Sequence, residues 1–270
     1  MINSSIELAK KIRKHSLEMV VRSRASHIGS ALSMTDILAV LYFDIINIYP
    51  SDSENENRDI FILSKGHACV SLYATLGLKG FFDLKDLETY ALDGSNFMNH
   101  ISHKVPGVEF STGSLGHGLP FATGIALGKK IKNQTNKIFV VVGDGELDEG
   151  SNWEALLFAS HHKLDNLTIV VDYNNLQSLT TVKETLNLEP LANKFEAFGC
   201  NVDSVDGHNH FELYDVFIKS KNSTSGKPTV VIANTVKGKG VSYMENKVKW
   251  HYSTPNQDEL VHALNEIDNA

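Results

Sequence analysis

The chain has 270 residues and is 42% hydrophobic, which is enough to bury a core as one large domain or as two small ones. A net charge of -7 without a basic stripe argues against binding to nucleic acid. Only two cysteines are present and no apolar run is long enough to cross a bilayer, so the sequence predicts no disulfide framework, no membrane span and a cytoplasmic location.

The first predicted element is a helix over residues 2–23. This segment is rich in charged residues, and its apolar residues recur at helical spacing at Ile6, Leu8, Ile12 and Met19. A secretory signal peptide requires an uninterrupted apolar segment, so we interpret residues 2–23 as part of the folded protein.

Strands and helices then alternate along the chain. A polar loop leads to a helix within 24–46, which we predict to be capped near Ser33 or Thr35. The later elements are a strand, turn and helix over 58–80, a glycine-punctuated loop and helix over 111–132, strands over 137–142 and 167–172 with a helix between them, strands over 200–207 and 228–240, and a helix over 258–267. This alternation predicts an α/β fold with a doubly wound, mostly parallel sheet and helices on both faces. No linker divides the chain convincingly, so we predict that residues 1–270 form a single domain with peripheral N- and C-terminal helical segments.

Polar residues follow two of these strands at the point where each strand ends. Gly143, Asp144 and Gly145 follow the strand over 137–142, and Asn174 follows the next strand, 30 residues after Asp144. Because parallel strands end at the same edge of a sheet, both side chains can point into one crevice. A carboxylate and an amide suit Mg2+, which completes its shell with phosphate and water. The alternative is that Asp144 caps the following helix and Asn174 forms a turn.

Several motifs extend this pattern, and they occur in the order SHIGS, SKGHA, VPGVEFSTGSLGHG, GDGELDEG and VDYNN. With these motifs the chain resembles the N-terminal, diphosphate-binding domain of transketolase over about residues 10–255. The resemblance implies thiamine diphosphate as cofactor, with Mg2+, for which Ca2+ or Mn2+ can substitute. It also implies transfer of a two-carbon ketol unit from a ketose phosphate to an aldose phosphate.

The resemblance also implies a set of site residues. The implied metal ligands are Asp144, Asn174 and the backbone carbonyl of Leu176. The other residues implied to contact the cofactor are His67, Gly113, Leu115, Gly143, Gly145, Glu146 and His251.

Three histidines are implied to face the substrate as catalytic residues, namely His27, His100 and His251. His100 is preferred to His103 because it precedes Pro106 by six residues, the spacing found in the family. For each of them, and for His67, the alternative is a histidine that only satisfies hydrogen bonds within the fold. We assign no function to His161 and His162 at a helix end, or to His208 and His210, which we interpret as a turn before a helix.

Three acidic residues follow Asp144. Glu149 is implied as a further catalytic residue, since it matches a family glutamate that joins a carboxylate network with the facing subunit. The alternative is a first-turn glutamate that favours the helix dipole. Glu146 and Asp148 are interpreted as solvated or helix-capping acids without a catalytic role.

Full-length relatives continue into a pyrimidine-binding domain and a third domain, neither of which we expect residues 1–270 to supply. We therefore expect a split enzyme, in which a separate C-terminal subunit carries the pyrimidine-binding domain, the assembly is α2β2, and this chain alone has little activity. His117 and Tyr252 depart from the glutamine and glycine common in the family near the substrate channel, so the sugars are left open. The alternatives are another thiamine-diphosphate enzyme, resembling deoxyxylulose-phosphate synthase or a 2-oxo acid decarboxylase, and a noncatalytic regulatory subunit.

Overall fold

The fold is taken from a computed structural model that describes residues 4–52 and 55–270. Residues 2 and 3, where the predicted N-terminal helix starts, lie outside the described residues. Within the described ranges, no helix is both long enough and apolar enough to cross a membrane.

A five-stranded sheet lies at the centre of the described part of the chain. Its strands are Ile60–Leu63 (β1), Ile138–Gly143 (β2), Leu167–Tyr173 (β3), Asn201–Asp206 (β4) and Thr229–Asn234 (β5). The strand order is β1-β2-β3-β5-β4, and each neighbouring pair is parallel. The predicted fold class is therefore confirmed, and the carboxyl ends of all these strands lie at one edge of the sheet.

Helices connect the strands. Over residues 4–52 and 55–270 the α-helices are Ser5–Ser23 (α1), Ile28–Ser33 (α2), Thr35–Val40 (α3), Cys69–Leu78 (α4), Gly118–Ile131 (α5), Gly150–His161 (α6), Val182–Thr185 (α7), Leu191–Ala197 (α8), His210–Lys221 (α9) and Gln257–Asn269 (α10). Short 3-10 helices cover Pro50–Asp52, Gly66–Ala68, Leu84–Thr89, Gly145–Asp148 and Val248–His251, and a π-helix covers Leu41–Ile45.

Side-chain caps explain where the terminal helices begin. The Ser4 hydroxyl accepts a hydrogen bond from the Glu7 amide at 3.2 Å, so α1 begins at Ser5. Asn256 and Glu259 form a reciprocal capping box that starts α10.

The predicted cap at Ser33 or Thr35 is wrong. Helix α2 already begins at Ile28, inside the predicted loop, and a break at Met34 separates it from α3. The Ser33 hydroxyl donates to Asp172 at 2.5 Å, and the Thr35 hydroxyl donates to the Ala31 carbonyl at 3.0 Å. Because both hydroxyls bond elsewhere, neither caps the helix.

Two apolar layers cover the sheet. Along β2, Phe139 and Val141 point into one layer, whereas Ile138, Val140 and Val142 point into the other. The first layer includes residues of α1 to α4 and α9, and the second includes residues of α5, α6 and α8. Burial on both faces explains the uninterrupted β-branched runs of the central strands.

Candidate active site

The ends of β2 and β3 meet at one cavity of about 310 Å³. Asp144 and Asn174 are both buried and both line this cavity. A hydrogen bond joins the two strand ends directly: the Asn175 amide donates to Asp144 Oδ2 at 2.6 Å. Asp144 Oδ1 accepts from the Gly145 amide at 2.7 Å, and Asn174 Oδ1 accepts from the Leu176 amide at 3.1 Å. The structure thus brings together the two side chains that the strand-end pattern paired.

The oxygens at these strand ends suit a hard cation. Burial, and secondly the charge of Asp172, raise the pKa of Asp144 to about 6, and the opposing effect of Lys65 is smaller. Leu176 lines the same cavity, and its carbonyl accepts a hydrogen bond from Lys237 at 3.0 Å. Within the described residues no group of three His, Cys, Asp or Glu side chains could hold a metal. A metal here would therefore bind one carboxylate, one amide and one carbonyl oxygen, together with oxygens of its own ligand, which fits Mg2+.

Glu146 lines the cavity but is not the solvated or helix-capping acid that we predicted. It is 2% exposed, and its carboxylate accepts from the Ser64 hydroxyl at 2.5 Å and from the amides of Gly116 and Gly143 at 2.9 and 3.2 Å. Burial raises its pKa. These bonds tie together the loops that follow β1 and β2 and the loop before α5, so Glu146 fixes the shape of the wall.

Three glycines and a leucine complete the same wall. Gly113, Gly145 and Leu115 all line the cavity, and so does Gly143 at the end of β2. A side chain at Gly145 would lie 3.0 Å from Gln177, so glycine keeps this turn open.

Lys65 is a cavity residue that the sequence reasoning missed, although it stands inside the SKGHA motif. It lines the cavity, forms a fully buried ion pair with Asp172, and donates to the Ser30 carbonyl at 3.2 Å. Burial alone would raise the pKa of Asp172, yet the Lys65 ammonium lowers it below its usual value. Asp172 also accepts from the hydroxyls of Ser33 and Thr235, each at 2.5 Å.

Lys237 is a second missed residue, three positions after the end of β5. Its ammonium donates to the carbonyls of Leu176 and Gln177 at 3.0 and 2.8 Å and lies 3.0 Å from His251 Nδ1. Burial lowers its pKa to about 8. Since β5 pairs with β3 in parallel, the strand-end rule that found Asp144 and Asn174 could also have found Lys237.

Four predicted histidines meet at the cavity from four different segments. The ring centre of His27 lies 5.2 Å from that of His67, 5.6 Å from that of His100 and 5.1 Å from that of His251. His67 Nε2 bonds to the Ser30 hydroxyl at 3.0 Å. The arrangement leaves several imidazoles facing the same small volume, where they can donate or accept protons.

The backbone of His27 has a left-handed conformation, with φ of 71°. Its amide donates to the His251 carbonyl at 2.8 Å, which connects the start of α2 to the segment that carries His251. A non-glycine residue in this region costs about 1–3 kcal/mol and persists where the surroundings hold it in place.

The environment keeps these histidines neutral. Burial, reinforced by His100 and by the positive charges of Lys237 and Lys65, lowers the pKa of His27 to about 4. Burial and then Lys237 lower the pKa of His251 to about 3. Burial also places the pKa of His67 well below its usual range and lowers the pKa of His100.

We expect the imidazole resonances of His27 and His251 to show no titration between about pH 6 and 8 in NMR spectra, with assignment by single glutamine variants. The unfolded chain binds protons at these sites below about pH 6.5, whereas the folded chain binds them only near pH 4 or lower. The free energy of unfolding should therefore fall as the pH decreases from about 6.5 to about 4. A midpoint near pH 6.5 for either histidine would contradict the burial described above.

Some predicted residues lie elsewhere. Glu149 is exposed at the N-cap of α6, just before the first turn, and is not part of the cavity wall. His103 is exposed and bonds to the Ser111 hydroxyl at 2.7 Å, away from the wall. His117 is the exposed N-cap residue of α5 and also lies off the wall. The catalytic role of Glu149 stays a prediction.

Tyr252 lies at the rim of the cavity. Its side chain is 58% exposed, and its ring centre lies 4.7 Å from that of His251 and 6.2 Å from that of His27. A large aromatic side chain beside two histidines narrows the approach to them.

The remaining histidines lie outside the cavity. His161 and His162 end α6, as predicted. His208 lies in the predicted turn before α9, whereas His210 is the first residue of α9, and both also bond to the buried carboxylate of Asp36.

Comparisons with known proteins show the family of the chain. The family described as "Transketolase, thiamine diphosphate binding domain" matches residues 4–267. The chain is 44% identical over 261 residues to one of the subunits of apulose-4-phosphate transketolase from Actinobacillus succinogenes, covering 96% of this chain and 94% of that protein. It is 38% identical to the 6-deoxy-6-sulfo-D-fructose transketolase subunit of Clostridium sp., with 96% and 94% covered.

Solved structures show the same relationship. The fold superposes on transketolase from Campylobacter jejuni with a TM-score of 0.92 and 33% identity, over 98% of this chain and 42% of that one. The chain therefore belongs to the transketolase family, whose members are thiamine-diphosphate-dependent transferases, and it corresponds to their thiamine-diphosphate-binding domain.

Proposed function

We propose that this chain is the cofactor-binding subunit of a two-subunit transketolase, which transfers a two-carbon ketol unit between phosphorylated ketose and aldose sugars. One observation carries the proposal: a single cavity presents hard oxygens, two lysines and four neutral histidines. The oxygens and lysines suit a diphosphate with its metal, and the histidines suit a polyhydroxylated substrate.

The residues present fit Mg2+ and thiamine diphosphate. Asp144, Asn174 and the Leu176 carbonyl would hold Mg2+, while Lys65, Lys237 and His67 would balance and bind the diphosphate. When bound, thiamine diphosphate supplies the carbon nucleophile and stabilises the charge left by carbon–carbon cleavage. Local cations at one edge of the sheet explain how a protein with a net charge of -7 can hold so anionic a group.

The chain contributes proton transfer and orientation. His27, His100 and His251 are held neutral, so each can donate a proton at one ring nitrogen and accept one at the other. Histidines of this kind can hydrogen-bond sugar hydroxyl and carbonyl oxygens without adding charge. Glu149, exposed before α6, is available to a carboxylate network with a facing subunit.

A partner subunit would complete the enzyme. Two relatives that the chain covers almost fully are named as transketolase subunits rather than as whole transketolases, whereas the chain spans 39% of human transketolase. We infer that residues 1–270 form a single domain, that a separate C-terminal subunit carries the pyrimidine-binding domain, and that the assembly is α2β2. The free, buried Cys69 and Cys200 are compatible with the cytoplasm, which we propose as its location.

The names of relatives point to different sugars, an apulose phosphate in one case and a sulfonated fructose in another. We propose that Tyr252, at the cavity rim, contributes to the choice of sugar, since it lies beside His251 and His27.

The test is co-expression with the product of the neighbouring gene, followed by a ketol-transfer assay with a panel of ketose phosphates. We expect the lone chain to show little turnover and the co-purified assembly to be active only with thiamine diphosphate and Mg2+. Robust transfer by the lone chain would refute the two-subunit proposal, and an assembly that binds no thiamine diphosphate would refute the cofactor assignment.

A further inference from the structure

A buried polar cluster lies outside the active-site cavity and consists of Arg13, Asp36, His208 and His210. Asp36 is 4% exposed and accepts two hydrogen bonds from Arg13, at 3.0 and 2.6 Å. It also bonds to His208 Nδ1 at 2.7 Å and to His210 Nε2 at 3.1 Å. Burial opposes ionisation of Asp36, but Arg13 and these histidine bonds hold its pKa well below the usual value.

The bonding of His208 fixes its tautomer. His208 Nε2 lies 2.8 Å from the Val236 amide, which can only donate, so Nε2 accepts. The ring proton is therefore on Nδ1, where it is donated to Asp36. Asp36 thus orients the histidine that holds the backbone of Val236.

Arg13 holds the same segment from its other end. Its Nε donates to the Lys239 carbonyl at 3.1 Å, while its two terminal nitrogens bond to Asp36. The cluster therefore binds the backbone on both sides of Lys237, at the Val236 amide and at the Lys239 carbonyl. Lys237 in turn extends its ammonium to the Leu176 and Gln177 carbonyls in the cavity.

We propose that His208 and Arg13, through their bonds to the Val236 amide and the Lys239 carbonyl, position Lys237 for binding the cofactor diphosphate. Buried and fully bonded networks of this kind hold backbone segments in one arrangement. His208 and Arg13 are thus positioning residues, and Lys237 is the residue that faces the ligand. The inference rests on the proposed function, because it assigns Lys237 to the diphosphate.

Two substitutions at His208 separate the positioning role from a purely structural one. His208→Asn keeps a donor near Asp36 but removes the acceptor for the Val236 amide. His208→Gln keeps an acceptor near the former Nε2 and loses the donor to Asp36. If the cluster only stabilises the fold, both variants should behave alike.

Two measurements on the full chain compare these variants with wild type. Calorimetric titration with thiamine diphosphate and Mg2+ should give an affinity about 10-fold weaker for His208→Asn and within about 2-fold of wild type for His208→Gln. In the cofactor-free chain, the NMR contact between the Lys237 methylene next to the ammonium and the His251 ring should disappear in His208→Asn and remain in His208→Gln.

The NMR contact between Lys237 and His251 tests the positioning role without any measurement of cofactor binding. Its persistence in His208→Asn, or its loss from both variants, would overturn the positioning role whether or not the chain binds the cofactor. Failure of the wild-type chain and of its assembly to bind thiamine diphosphate would instead count against the proposed function. The two failures are therefore distinguishable.

Discussion

Asp144→Ala is expected to weaken Mg2+-dependent binding of thiamine diphosphate by more than about 100-fold, since even residues that only support metal ligands are worth about 10–100-fold. Asp144 offers the carboxylate of the proposed metal site, and burial together with the charge of Asp172 raises its pKa to about 6, although Lys65 opposes this rise. The measurement is calorimetric titration with thiamine diphosphate, once with Mg2+ and once with a chelator. Wild type should lose affinity in chelator, whereas the variant should be equally weak in both.

Glu154→Ala is the matched control for this variant. Glu154 is exposed on α6 and is not part of the cavity wall, so the control removes the same charge from a different place. It should bind like wild type, and both variants should keep the circular dichroism spectrum of the folded chain. Unchanged binding by Asp144→Ala would remove Asp144 from the metal site.

Lys65→Met is expected to lower the free energy of unfolding by about 3–5 kcal/mol, because it leaves a buried charge without its partner. The side chains of Lys65 and Asp172 are 1% and 0% exposed, so water cannot replace the lost ammonium. Urea denaturation should give this difference, and the Tm should fall by about 10 °C.

Asp172→Asn added to Lys65→Met tests the cause of that loss. The asparagine removes the unpaired charge and keeps one of the two acceptor oxygens, since Ser33 donates to Oδ2 of Asp172 and Thr235 donates to Oδ1. The double variant should recover more than half of the lost stability. A double variant no more stable than Lys65→Met would show that lost packing, rather than an uncompensated carboxylate, explains the effect.

The strand ends were predictable from sequence because their signal is local. An uninterrupted β-branched run followed by Gly143 and Asp144 specifies both a buried strand and a polar group at its carboxyl end. The same pattern at Asn174 needed only the parallel pairing of adjacent strands, which β2 and β3 show. The histidines were located through the order of several motifs, since their separation along the chain hides their proximity.

The missed residues depend on contacts between distant segments. Glu146 looks like a surface acid, and only the approach of Ser64 and two loop amides makes it a buried one. Lys65 and Asp172 are 107 positions apart, and neither sequence neighbourhood indicates the other. His208 follows a turn pattern, which gives no sign that Asp36 lies against it.

Crystals of the chain grown with thiamine diphosphate and Mn2+ test the central claim most directly, because Mn2+ can be located by its anomalous scattering. The account predicts one strong peak, bound by the side-chain oxygens of Asp144 and Asn174 and the carbonyl of Leu176, with diphosphate oxygens completing its shell. A peak at another place, or a diphosphate bound away from these strand ends, would contradict it.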